Sequence, residues 1–344
     1  MKKGWILLSG VILFNCSPRK ETPPLLTAAD SLNAIATLAY QTQEDSLYYE
    51  ASLFAARLFD TSKALRYIDT AIKINPSHPN YHFTKGYYFY TLGHFQEALT
   101  SLKNALNLDS LNPKTLFYYG GCLSALNRHQ DALLYFKKAI ALDPYSPDYL
   151  FSFGYSLYSL QQYPEAKRYF LAALQMDSSH VKSIYLLIDT YFNLNFPDSA
   201  EIWINKLLEM DPLHPLARFQ LGNLERDKAL EAISQKKYAI ARKHFQKAIQ
   251  NYTYSLEKDS SFAEAYYRLG YTFFELGEYQ KALANFQKAV LHNPLDFRAY
   301  FMIGSIYEYY GDKEEAIKYY ELSLQRNAHF EEAKKALSEL RRGK

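Results

Sequence analysis

Cysteine is almost absent: Cys16 and Cys122 are the only two among 344 residues, which excludes a disulfide-stapled fold. Apolar runs are scarce too. The stretch from Trp5 to Phe14 is about half the ~20 residues a membrane-crossing helix needs. Charge of one sign is missing as well, since 39 Lys and Arg against 36 Asp and Glu leave a net +3. That balance excludes a dedicated nucleic-acid binder, which needs a clustered basic footprint. No HExxH, glycine-rich phosphate loop or serine nucleophile elbow occurs. Most of the nine histidines sit at turns or junctions (His78, His94, His129, His180, His214, His292, His329). His78 and His82 are four apart, but Pro79 breaks any helix between them, so they are expected as capping or surface residues rather than metal ligands. No metal, cofactor or small-molecule substrate is expected, and catalysis is not expected.

Aromatics, by contrast, are abundant. With 32 Tyr, 22 Phe and a 48% hydrophobic content, most of the chain must bury a core rather than stay disordered. At the N-terminus, Lys2 and Lys3 precede the short apolar stretch, and Cys16 then opens the polar, proline-bearing "SPRKETPP". Residues 1–15 resemble a bacterial lipoprotein signal peptide, with Leu13, Phe14, Asn15 and Cys16 as the lipobox. Asn15 stands where Gly, Ala or Ser is usual. The resemblance implies lipidation at Cys16, a tether over 16–29, and a lipid-anchored protein of the bacterial envelope. Ser17 fits sorting to the outer membrane, facing the periplasm. The alternative is a plain secretory signal in which Cys16 has no role.

From residue 45 the sequence repeats every 34 residues, as "YHFTKGYYFYTLGHFQEALTSLKNALNLDS" (81–110) and "YLFSFGYSLYSLQQYPEAKRYFLAALQMDS" (149–178) show. The units fall at 45–78, 79–112, 113–146, 147–180, 181–214, 215–262, 263–296 and 297–330. Position 8 is Gly in six of them (Gly86, Gly120, Gly154, Gly222, Gly270, Gly304). Glycine inside a helix costs about 1 kcal/mol against Ala, so its recurrence predicts close helix–helix approach. Position 20 is Ala in every regular unit, from Ala64 to Ala316, for the same reason. Gly or Asn recurs at position 15 (Gly93, Asn127, Asn195, Gly277, Gly311), where a left-handed residue would end the first helix. Pro76, Pro144, Pro212 and Pro294 stop the second helix.

This pattern resembles the tetratricopeptide repeat family, and the resemblance covers about five-sixths of the chain. It implies an all-α fold, a right-handed superhelical α-solenoid of eight helix-turn-helix units. Capping helices are expected at 30–44 and 331–344. Two departures stand out. Ile188 replaces the glycine of the fifth unit, which predicts a more open junction there. The sixth unit carries fourteen extra residues, read as two turns added to each helix, with a basic tip at Lys236, Lys237, Arg242 and Lys243. That hairpin is expected either as a tolerated variation or as a docking knob for an acidic partner or lipid headgroups.

In this family the first helix of each unit lines the concave surface. The aromatic ladder at position 5, from Tyr49 to Phe301, is expected mainly to pack between repeats. Positions 9 and 12 are expected to face the groove: Tyr87, Tyr90, Tyr155, Tyr158, Phe192, Asn223, Tyr271 and Phe274. A protein or peptide partner is therefore expected there, since Tyr combines large area with few rotors and a polar tip. A chaperone-tail clamp is not, because the Lys and Asn that family members use at positions 5 and 9 are replaced by Tyr49 with Leu53 and Phe83 with Tyr87. The functional expectation is a membrane-anchored interaction scaffold for envelope assembly. Its alternatives are a self-associating structural component, hence a homo-oligomer, or a non-catalytic accessory subunit of a membrane enzyme.

Overall fold

A computed structural model describes residues 27–342; the leader, Cys16 and most of the tether lie outside them. The chain divides into two compact units, Met1–Asp109 and Ser110–Lys344. The first holds α1 (Ala28–Thr42), α2 (Asp45–Arg57), α3 (Thr61–Ile74), α4 (Pro79–Thr91) and α5 (Phe95–Leu108). The second begins with α6 (Pro113–Ala125), α7 (His129–Leu142), α8 (Pro147–Ser159), α9 (Tyr163–Met176), α10 (Val181–Asn193) and α11 (Pro197–Met210). It continues with α12 (Pro215–Ser234), α13 (Tyr238–Lys258), α14 (Ala263–Glu275), α15 (Tyr279–His292), α16 (Phe297–Tyr309), α17 (Lys313–Arg326) and α18 (Glu331–Arg341). No strand occurs among the described residues, and none of their helices is long and apolar enough to cross a membrane.

Each repeat becomes a helical hairpin for local reasons. Proline opens α4, α6, α8 and α12, where its missing N–H and fixed φ suit the first turn. Between the two helices the position-15 residue is left-handed, with φ 77° at Gly93, 60° at Asn127 and 73° at Gly277. Phe59, Gln161 and Lys236 adopt the same conformation without being Gly or Asn, at φ 58°, 60° and 59°. The turn geometry is therefore imposed by the packed hairpin, even where the residue opposes it.

The core of each hairpin sits where position 8 meets position 24. A Cβ on Gly120 would come within 2.9 Å of the Phe136 ring, and one on Gly222 within 2.6 Å of Tyr252. Phe136, Phe170, Tyr252, Phe286 and Tyr320 are all buried, each contributing roughly 1.5–3 kcal/mol. The position-20 alanines are fully buried beside them. In α10–α11 the pair is Ile188 with Ile204, both buried in one cluster, so a side chain at position 8 is packed there rather than exposed. At the two ends, α1 buries Leu32 and Ala39 and joins the cluster of Tyr48, Ala51 and Ile68, while α18 lays Leu337 and Leu340 against Tyr320.

Candidate functional site

Aromatic residues recur at positions 5, 9, 12 and 17 together in three repeats, and in each they form a four-ring set across one hairpin. In α4–α5 these are Phe83, Tyr87, Tyr90 and Phe95; in α8–α9, Phe151, Tyr155, Tyr158 and Tyr163; in α14–α15, Tyr267, Tyr271, Phe274 and Tyr279. The contacts repeat as well. Position 5 pairs with position 9 one turn on, at 6.4 Å for Phe83–Tyr87, 6.3 Å for Phe151–Tyr155 and 6.4 Å for Tyr267–Tyr271. Position 12 meets position 17 edge-on across the turn, at 5.8 Å for Tyr90–Phe95, 5.4 Å for Tyr158–Tyr163 and 5.3 Å for Phe274–Tyr279. Such edge-to-face pairs are favoured by the ring quadrupole.

These contacts divide the sequence-derived residues by role. Tyr87 and Tyr155 are the two that stay exposed, at 37% and 41%. Tyr90, Tyr158, Tyr271, Phe274, Phe192 and Asn223 are half-buried. Tyr158 donates its hydroxyl to the Asp189 carboxylate, which also accepts from Asn193 Nδ2 at 3.2 Å. Burial, and next that hydrogen bond, push the Tyr158 hydroxyl well above its ordinary pKa, so it remains a neutral donor. Phe192 packs against the core cluster of Leu157, Ile184 and Ile188. Asn223 accepts from Tyr252 at 2.8 Å, tying the middle of α12 to α13. The position-5 rings lie on the buried position-24 rings, with Phe117–Phe136 and Phe151–Phe170 both at 5.9 Å and Tyr267–Phe286 at 5.6 Å.

Sequence reasoning passed over the position-17 partners Phe95, Tyr163 and Tyr279, although their recurrence five residues after position 12 was visible. It also passed over Arg226, which occupies position 12 of the long repeat. Its guanidinium lies 5.9 Å from the Tyr271 ring and pairs with Asp227 at 3.0 Å.

The long hairpin is a second distinct surface. Its helices have 20 and 21 residues, against 13 and 14 in α14 and α15. A thin seam runs toward its tip, with Ala229 and Ala232 of α12 and Ala241, Phe245 and Ala248 of α13 all buried. Within that seam Glu225 is buried and held by His244 Nδ1 at 2.7 Å and Lys247 at 3.7 Å. Lys236, Lys237, Arg242 and Lys243 are all exposed at its end. Beneath the overhang, Phe245, Ile249, Leu276 and Arg242 line a cavity of about 400 Å³ against the α14–α15 turn. Among the described residues no group of three His, Cys, Asp or Glu side chains could hold a metal ion.

Several solved structures are similar to this chain. MamA, residues 41 to the end, from Desulfovibrio magneticus RS-1 is 19% identical, over 49% of this chain and 95% of that one, with a TM-score of 0.47. YrrB, described as a TPR protein with an unusual peptide-binding site, is 23% identical over 58% and 95%, with a TM-score of 0.43. The Cut9–Hcn1 hetero-tetramer of APC/C matches 91% of this chain and 58% of its own at 16% identity, with a TM-score of 0.54, a likeness of fold. No curated protein matches the chain. Family models described as tetratricopeptide repeat match residues 83–147, 151–215, 263–295 and 297–330, more than half of the sequence. With its hairpins closed by glycine against a buried ring, the chain belongs to the tetratricopeptide repeat family.

Proposed function

We propose that this protein is an interaction scaffold that binds an extended or helical segment of another protein on the aromatic face of α8, with Tyr155 as the principal contact. The observation that carries this reading is the contrast within one four-ring set. Phe151 rests on Phe170, Tyr158 is held by Asp189 and Tyr163, and Tyr155 alone of the four remains exposed at 41%. An exposed tyrosine on a rigid aromatic support loses little entropy on binding, which is the condition for an energetic anchor. The test is a display screen of random peptides against the intact chain, followed by calorimetry. Tyr155→Ala should weaken the enriched peptides by ten- to thirtyfold, from the roughly 1.4–2 kcal/mol typical of an aromatic anchor. Equal binding by both proteins would sink the reading.

Acylation of Cys16 would tether the scaffold to a membrane, and assembly of envelope complexes at the outer membrane would then be its setting. The leader pattern supports this part, with Lys2, Lys3, the apolar stretch and Cys16 in order. Metabolic labelling with a palmitate analogue should mark the wild type and spare Cys16→Ser; label on both would refute it.

A further inference from the structure

The long hairpin ends in a combination found nowhere else among the described residues. From Ala232 to Leu256 the sequence contains no acidic residue, yet it holds Lys236, Lys237, Arg242, Lys243 and Lys247. The longer acid-free stretch at 70–96 holds only two such cations, Lys73 and Lys85, so what sets the hairpin apart is its density of positive charge. Lys247 is answered by Glu225 across the seam, at 3.7 Å. The other four make no ion pair among the described residues; Lys237 donates to the neutral Gln235 at 2.8 Å. Between these two pairs of cations in the sequence, Tyr238 is 66% exposed and Ile240 49% exposed, Tyr238 and Arg242 also bordering the cleft that Glu275 and Glu278 line on the α14–α15 side. The register at the hairpin's base is unchanged, since Gly222 still faces Tyr252. The added residues therefore all extend the turn end, by roughly 10 Å at 1.5 Å per residue.

We propose that this tip docks on an anionic lipid surface, with Tyr238 and Ile240 entering the headgroup layer and Lys236, Lys237, Arg242 and Lys243 meeting lipid phosphates. A projecting turn that carries exposed apolar residues beside unpaired cations suits a fluid, anionic plane. Burying apolar area and pairing with phosphates then reinforce each other. An acidic protein partner would satisfy the cations but gives no reason for two exposed apolar residues among them. The proposal does not depend on acylation of Cys16, because the tip's chemistry lies wholly in the hairpin.

The test uses the full chain with Cys16→Ser and a polarity-sensitive dye on Ala239→Cys, an exposed tip position. The remaining Cys122 is fully buried and escapes labelling. Vesicles of phosphatidylcholine mixed with anionic phosphatidylglycerol should blue-shift the dye, and neutral phosphatidylcholine vesicles should not. A spin-labelled lipid should quench it. Replacing Lys236→Asn with Lys237→Gln should weaken partitioning more than tenfold, because each basic residue near such a surface contributes about fivefold. Asn tolerates the left-handed backbone at 236, so the hairpin is preserved. The same dye on Leu295→Cys, at the opposite turn, should stay silent. The leader alone could carry the chain to a vesicle, but it would not immerse the tip in preference to residue 295. Equal shifts at both positions, equal shifts on neutral vesicles, or no shift would each overturn the proposal. So would a polyglutamate chain that blue-shifts the tip dye as strongly as the anionic vesicles, which would assign the tip to an acidic polypeptide.

Discussion

The glycine-to-ring packing can be tested by transplanting one hairpin's solution into another. In α2–α3 the positions occupied elsewhere by Gly and an aromatic are Ser52 and Ile68. Ser52 Oγ donates to the Ala64 carbonyl at 2.9 Å, and Ile68 is fully buried. In α8–α9 the corresponding residues are Gly154 and Phe170. A Cβ on Gly154 would lie 2.9 Å from Phe170 Cε1 and 3.2 Å from Tyr169 Cβ. Gly154→Ser alone should therefore cost about 1–2 kcal/mol, overpacking reduced by about 0.5 kcal/mol of helix propensity. Phe170→Ile alone shrinks a fully buried side chain and should cost about 2 kcal/mol. Together they recreate the Ser–Ile arrangement, with the Ala166 carbonyl as the serine's acceptor. The pair should then cost at least 1 kcal/mol less than the sum. Unfolding of repeat arrays need not be two-state, so the readout is hydrogen exchange of α8 and α9 amides, where each 1.4 kcal/mol is about tenfold in protection. Additivity within about 0.5 kcal/mol would refute the claim that glycine is there to admit the ring.

Two further outcomes follow from single residues. Phe59 is left-handed at φ 58° and 94% exposed, so it bears strain of about 1–2 kcal/mol without compensating contacts. Phe59→Gly relieves that strain and loses part of the gain to chain entropy, so it should stabilise the α2–α3 hairpin by about 0.5–1 kcal/mol in urea unfolding; a destabilised variant would show that Phe59 is packed. Burial pushes the Cys122 thiol up to about 12 from an ordinary value near 9. The fold thus keeps a proton that the unfolded chain releases, and this contribution is fully present below about pH 9 and is lost as the pH rises toward 12. In the Cys16→Ser chain at pH 8, Cys122 should react with a disulfide reagent at least a hundredfold more slowly than in urea, roughly the protection of a core site. Reaction at the rate of a free thiol would refute that burial.

Position 8, position 20 and most of position 15 were legible in the sequence because one side chain meets the same neighbour in hairpin after hairpin. Repetition supplied what a lone glycine could not: Gly120 and Gly154 have the same reason to be small. The face offered to a partner was less legible. A helical wheel places positions 9 and 12 side by side, but it takes no account of the second helix. The ring at 17 draws position 12 into the turn in three repeats, and Asp189 fixes Tyr158 from the next one. Sequence spacing cannot separate Tyr155 from Tyr158, because what differs between them is the residue each meets after the chain has turned back.

The length of the basic hairpin has its own physical logic. Seven residues advance a helix by about 700°, within roughly 20° of two full turns. Adding seven to each helix therefore prolongs both buried faces almost in line. That is why Ala229 and Ala232 continue the stripe of Gly222 and Glu225, and why Ala241 and Phe245 continue that of Ala248 and Tyr252. Five residues would turn each face by about 140° and present Lys or Gln to the seam. The hairpin could thus be lengthened without disturbing Gly222 against Tyr252, so the base still packs as a repeat. Its far end, beyond the adjacent turns, is released from the demands of stacking. A tip so released keeps Tyr238 and Ile240 exposed beside the cations at little cost to the fold beneath it.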